Sequence, residues 1–234
     1  MIPITQLNVY LIQVAVKAVP LSRDASDSDP ILSSLKRELA VLLHAACSCV
    51  HVCRYHGVAR QGDWFLIVMA LYEEGSLSDY IRRQPGGIIP VPRAISILHD
   101  ICKGLEELHH FASHPVVVLD LKPDNVLIAK SGSAVLADFG ISRVISKATI
   151  QTINSAGTFN YMPPEQFEER AYIGPKCDMW ALACTLIHMI TGKPPMAELN
   201  TGQILMKVWV CVNKNSEREI RVVYQKYCGN NNNN

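Results

Sequence analysis

The sequence predicts an α+β chain, and three observations carry that reading. Short uncharged runs rich in β-branched residues recur, at Val116–Leu119, Val126–Ala129 and Ala134–Ala137, with similar apolar runs at Val14–Val19 and Trp64–Met69. Leucines and isoleucines recur at helical spacing over 32–42 and 94–108. Asp178–Ile190 is apolar on every side, the pattern of a helix buried all round. A chain of 234 residues can bury roughly 70% of its unfolded surface, enough for a substantial core.

The elements follow in order. Val14–Val19 is a strand with one lysine, Lys17, inside it. Ser22–Asp29 is a polar loop. Asp29-Pro30 is a helix start, with a capping side chain and then proline at the first helical position. Leu32, Leu35, Leu39 and Leu42 mark the helix that follows, with Glu38 beside the stripe. From His44 to His56 three cysteines and three histidines invite a metal reading. Their C-x-C and C-x₃-C spacings lack the paired C-x₂-C knuckles of structural zinc sites, so buried small hydrophobes are the better reading.

Trp64–Met69 is an apolar strand, and Ser78–Arg83 a short helix. Pro92 opens a long helix whose stripe is Ala94, Leu98, Ile101, Leu105 and Leu108. Val126–Ala129 and Ala134–Ala137 form a hairpin around Lys130-Ser131-Gly132-Ser133. Asp178–Ile190 ends at Thr191-Gly192, and burial makes His188 a core histidine rather than a catalyst. Asn230–Asn234 is low-complexity and is expected to be disordered.

Charge and composition exclude several classes. A formal net charge of +1 gives no electrostatic case for nucleic acid or an anionic membrane. No apolar run reaches the ~18 residues of a transmembrane helix. The start, MIPITQLNVYLIQ, has neither a basic residue before its apolar stretch nor a small-residue cleavage site, so it is a poor signal peptide. Eight cysteines in a chain this long fit a reducing intracellular setting, with the cytoplasm as the expected location.

The chemistry concentrates in Val116–Gly140, VVVLDLKPDNVLIAKSGSAVLADFG. Asp120, Lys122, Asn125 and Asp138 leave the ends of buried runs within 19 positions. That set suits phosphoryl transfer. One carboxylate can take the proton of an attacking hydroxyl, and an ammonium can face the charge on the moving phosphoryl group. An Asn and an Asp supply the hard oxygen ligands that Mg²⁺ accepts alongside phosphate.

D-L-K-P-D-N followed by D-F-G, with a hairpin between, resembles the catalytic and metal-binding loops of eukaryotic-type protein kinases. The resemblance runs from about Val14 to Lys207. It implies a two-lobed kinase fold: an N-lobe over about 1–69, a hinge at 70–75 and a C-lobe over 76–210. Residues 211–234 are then a divergent tail.

The resemblance also implies roles. Asp120 is the base, Lys122 steadies the γ-phosphoryl group, and Asn125 and Asp138 hold Mg²⁺. V-A-V-K resembles the strand whose lysine, here Lys17, holds the ATP phosphates, with Glu38 as its partner. Ala70–Leu77 resembles the hinge, where backbone groups of Leu71 and Tyr72 read adenine. Met69 falls at the gate of the adenine pocket and Leu127 at its floor. Asp178 ties back to the catalytic loop.

Residues 141–156 resemble an activation segment, with Thr149, Thr152 and Ser155 as candidate phosphosites. G-T-F-N-Y-M-P-P-E resembles the motif that closes this segment, placing Thr158 at the substrate hydroxyl and Glu165 in the position of the A-P-E glutamate. Lys122 with Thr158 is the serine/threonine pattern, and the tyrosine-kinase-like group also fits. The implied function is ATP-dependent phosphorylation of Ser or Thr on protein substrates in signal transduction.

Three departures set a competing expectation, a catalytically impaired pseudokinase or scaffold, or an incomplete product. The glycine-rich loop over the phosphates is missing, since the first glycine in the chain is Gly57. Val118-Leu119 stands where H-R precedes the catalytic Asp, so a phosphate on the activation segment lacks its usual arginine there. Divergence after Val210 leaves the final helices without a counterpart, and the chain reads as truncated at both ends.

Overall fold

The computed structural model of the chain describes residues 13–20, 49–111, 116–138, 159–167, 174–204 and 206–207. The predicted helix over 32–42 with Glu38, the loop at 22–29, the segment 141–156, Thr158 and the Asn-rich end lie outside the described residues.

Three strands form one antiparallel sheet: β1 (Val14–Pro20), β2 (Tyr55–Gln61) and β3 (Trp64–Ala70), in the order β1-β3-β2. WFLIVMA is apolar throughout, and the strand's pleat decides which side chains are buried. Phe65, Ile67 and Met69 are buried while Trp64 is exposed, as a period of two requires. Opposite them, Ala15 pairs with Met69 and Lys17 with Ile67, so Lys17 shares the inward face of β1. β2 shifts its register between Tyr55 and Gly57, and only Tyr55 of that strand is buried.

A short link carries the chain from β3 to α1 (Leu77–Arg83). Ser76 caps this helix by a reciprocal box: its hydroxyl accepts from the Asp79 N–H, and the Asp79 carboxylate accepts from the Ser76 N–H. α2 (Val91–His109) buries Ala94, Ile101, Leu105 and Leu108 as its spacing predicts. Ile97 is wholly buried too, and Leu98 is half-buried, so the stripe turns slightly from the predicted one. Gly104 is the closest approach on α2. A Cβ there would stand 2.8 Å from the His51 carbonyl oxygen and 2.8 Å from Leu136 Cδ1.

β4 (Val126–Ile128) and β5 (Ala134–Leu136) form the predicted hairpin, with Gly132 at φ +87° in its turn. The hairpin links the sheet side of the molecule to the helical side. The Leu136 N–H donates to His51 O at 2.9 Å, and the Cys53 N–H donates to Leu136 O at 2.7 Å. α3 (Pro175–Thr191) closes on Gly192, which takes the left-handed conformation that favours glycine at a helix end.

Two expectations change. Val116–Leu119 is not a strand; its backbone is held by a side chain from α3, described below. α3 is not buried all round: Cys177, Ala181, Leu182, Cys184 and Met189 face the core, while Met179, Trp180 and Ile190 are exposed. The cysteine and histidine run gives no metal cluster among the described residues. Cys49 and Cys53 are instead free and buried, and burial pushes both thiols up to about 12.

Candidate active site

The turn at Pro123–Asn125 follows from its sequence. Proline is preset for the first position, and the Asn125 N–H closes on Lys122 O at 3.0 Å. Asn125 is buried, and its amide donates to both the Asp120 carbonyl (2.7 Å) and the Asp120 carboxylate (2.9 Å). The Lys122 ammonium donates to the two carboxylate oxygens of Asp120 at 3.1 and 2.9 Å. Asp120 therefore faces a cation and an amide in one fixed arrangement, with its side chain 23% exposed and so reachable from solvent.

Asp178 holds the approach to Asp120. Its side chain is fully buried, and one oxygen accepts from the Val118 N–H at 2.9 Å while the other accepts from the Leu119 N–H at 2.8 Å. His109 Nε2 donates to the same carboxylate at 2.8 Å. Leu119 is bent to φ +61°, a conformation that costs a bulky residue roughly 1–2 kcal/mol. Three hydrogen bonds to a buried carboxylate, each worth about 1.5–3 kcal/mol, offset that cost.

Asp138 leaves the end of β5 with φ +56°. The Lys17 ammonium lies 2.8 Å from its Oδ2. Its N–H donates to the Tyr55 hydroxyl at 3.1 Å. Its Oδ1 is buried with no hydrogen-bond partner among the described residues. A buried carboxylate oxygen without such a partner, on a residue that also meets a lysine, is a donor suited to a hard cation. Asn125 and Asp138 are tied through the backbone as well, the Ala137 N–H donating to Asn125 O at 2.8 Å.

The predicted hinge residues sit beside this cluster. Met69 is buried across the sheet from Ala15 and Tyr55. Leu71 is 45% exposed, and Tyr72 is half-buried, its hydroxyl accepting from the Arg54 N–H at 3.4 Å. Leu127 is half-buried and bridges to Ser76, while the Ile128 N–H donates to Gly75 O at 2.9 Å. The hairpin that carries Leu127 is thus joined directly to the link that follows Tyr72. Glu165 accepts from the Cys177 thiol at 3.5 Å. Lys17 meets Asp138, whereas its expected partner Glu38 falls outside the described residues.

Three residues, Tyr55, His109 and Tyr161, were given no role in the sequence reading. Tyr55 and His109 look like ordinary polar residues in the chain, and only the fold sets them against Asp138 and Asp178. Tyr161 and His188 form a third pair: the tyrosine hydroxyl donates to His188 Nδ1 at 2.7 Å. Burial, then the charge of Asp124, keeps the Tyr161 hydroxyl protonated by pushing it up, and burial holds His188 low, against a smaller opposing effect of Asp124. His188 is therefore a partnered, half-buried histidine.

The comparisons with known proteins agree with this geometry. A family model described as "Protein kinase domain" matches residues 10–226. The chain is 37% identical over 199 residues to human mitogen-activated protein kinase kinase kinase 6, covering 83% of this chain and 15% of that protein. It is 34% identical over 197 residues to the serine/threonine-protein kinase fray1 of Dictyostelium discoideum, covering 83% of this chain and 33% of the relative. It is 34% identical over 199 residues to human mitogen-activated protein kinase kinase kinase 5, covering 83% and 14% respectively. The chain thus spans a third or less of the length of these relatives. No helix among the described residues is long and apolar enough to cross a membrane. Motif order, site geometry and the extent of the match lead to one conclusion: the chain belongs to the protein kinase domain family, whose members use ATP and a divalent metal to phosphorylate proteins.

Proposed function

We propose that this chain transfers the γ-phosphoryl group of ATP to serine or threonine hydroxyls of protein substrates, as the names of its relatives suggest for them. The observation that carries the reading is the Asp120 carboxylate, held by Lys122 and Asn125 within 3.1 Å and still open to solvent. Asp120 orients the substrate hydroxyl and accepts its proton as the bond to phosphorus forms. Lys122, held beside Asp120, would face the γ-phosphoryl group, and its charge would stabilise the charge spread over that group.

Asn125 and Asp138 would hold Mg²⁺, Asp138 offering an Oδ1 that has no hydrogen-bond partner among the described residues. The ion would neutralise phosphate charge and fix the β- and γ-oxygens. Lys17 would exchange its contact with Asp138 Oδ2 for the α- and β-phosphates, with Glu38 as its partner in that state. Backbone groups of Leu71 and Tyr72 would read the adenine edge, Met69 would close the back of that pocket, and Leu127 would form its floor. Thr158 would complete the substrate-hydroxyl frame with Lys122, and Glu165 would brace the segment's end.

Phosphoamino-acid analysis of a protein incubated with the purified chain and labelled ATP tests this. The expected result is phosphoserine or phosphothreonine, with Asp120→Asn lowering kcat by about 10²–10⁴-fold. Transfer that survives Asp120→Asn unchanged, or none by the wild type, overturns it.

A further inference from the structure

The Asp138 carboxylate can serve a cation only if its backbone stays where β5 leaves it. β5 ends at Leu136, and Ala137 is the last residue tied to the catalytic turn, through its bond to Asn125 O. Asp138 then turns to φ +56°, a region that most side chains avoid. Its N–H, like any backbone donor, needs an acceptor. That acceptor is the hydroxyl of Tyr55, 3.1 Å away and 83 positions earlier in the chain.

Tyr55 is well suited to hold that position. It starts β2 beside the register shift, pairs with Met69 and is 5% exposed. Its phenolic hydroxyl carries acceptor lone pairs and no formal charge. A neutral hydroxyl can accept from the Asp138 N–H without adding charge beside the carboxylate. Phenylalanine would fill the same space and leave that N–H buried without this partner.

Resting on the reading of Asp138 as a metal ligand, we infer that Tyr55 is a positioning residue for the metal–nucleotide site. Its hydroxyl holds Asp138 in the left-handed conformation that leaves Oδ1 open. Because it acts through the backbone of Asp138, its loss weakens the metal-dependent part of nucleotide binding and spares the part that needs no metal.

The test is a titration of Mg²⁺ into the full chain with a fluorescent ATP analogue, comparing wild type, Tyr55→Phe and Asp138→Asn. A parallel series in EDTA gives the metal-free affinity, and Mn²⁺ replaces Mg²⁺ in a third. Tyr55→Phe is expected to raise the Mg²⁺ concentration for half-maximal binding by about 3–10-fold, the loss of roughly one hydrogen bond. Its EDTA affinity stays within twofold of wild type. Asp138→Asn abolishes the metal dependence. If Tyr55→Phe melts lower but keeps the wild-type Mg²⁺ midpoint, the hydroxyl is merely structural and the inference fails. If wild type itself shows no metal dependence, the fault lies with the assignment of Asp138. Should Tyr55→Phe not fold, Tyr55→Met, which also removes the hydroxyl from a large apolar side chain, takes its place under the same criteria.

Discussion

Replacing Asp178 by asparagine should unhinge the catalytic turn from the helical core. The wild-type carboxylate accepts from Val118, Leu119 and His109 at 2.9, 2.8 and 2.8 Å inside a fully buried site. Asparagine keeps one acceptor oxygen and turns an N–H₂ group toward one of the backbone donors. It therefore loses at least one charge-assisted bond, worth about 1.5–3 kcal/mol, and leaves a donor facing a donor. A loss of about 2–4 kcal/mol follows, a large part of the roughly 5–15 kcal/mol that holds a domain folded. Urea unfolding reads this directly. At a slope of about 2 kcal/mol per molar, the midpoint should fall by roughly 1–2 M, while exposed Lys103→Gln stays near wild type. Leu119 should then leave its left-handed conformation and carry Asp120 with it, so kcat drops further than stability alone explains. A midpoint shift equivalent to less than about 0.5 kcal/mol would refute the claim that Asp178 fixes the turn.

Other outcomes follow from the same geometry. Gly104→Ala places a Cβ against the His51 carbonyl and Leu136, and should cost about 1–3 kcal/mol by thermal or urea unfolding. His188 has a lowered folded pKa, so the unfolded chain binds the extra proton first; stability should fall as pH drops below the unfolded histidine value of about 6.5. His188→Asn keeps an acceptor for the Tyr161 hydroxyl and should flatten that slope in a pH series of melting curves. Alanine at Thr149, Thr152 and Ser155 together should leave kinase activity near wild type, because Leu119 stands where an arginine would receive a phosphate. A loss above tenfold would count against that reading.

The parts of the fold that were legible are those with one strong local signal. WFLIVM is a short apolar run and forms β3; the stripe from Ala94 to Leu108 repeats at helical spacing and forms α2; Lys130–Ser133 reads as a turn and is one. β2 gave no such signal, because YHGVARQ buries one residue, carries a bulge at Gly57 and leaves most of its side chains exposed. Val116–Leu119 reads as a strand because its composition is β-branched, but a carboxylate about 60 positions later takes the N–H groups of Val118 and Leu119, and Leu108 O takes that of Val116, instead of a neighbouring strand. α3 is apolar throughout, yet composition cannot say which face the core covers.

The site divides in the same way. Asp120, Lys122, Asn125 and Asp138 were visible because their spacing follows from short loops off buried runs. Tyr55, His109 and the Tyr161–His188 pair were not, since each acts across a long sequence separation and none is unusual in composition. Lys17 was legible as a lysine within a strand, with a role only through the resemblance, and its contact with Asp138 depends on how the sheet sits over the hairpin.

The most direct test of the account is a thermal shift of the purified chain with Mg²⁺–ATP, run beside Asp138→Asn. Nucleotide at 100 times its Kd should stabilise the wild type by about 2.7 kcal/mol and raise its Tm clearly, while the variant shows little shift. A cooperative melt that Mg²⁺–ATP leaves unmoved would contradict the nucleotide site, and with it the phosphoryl-transfer reading.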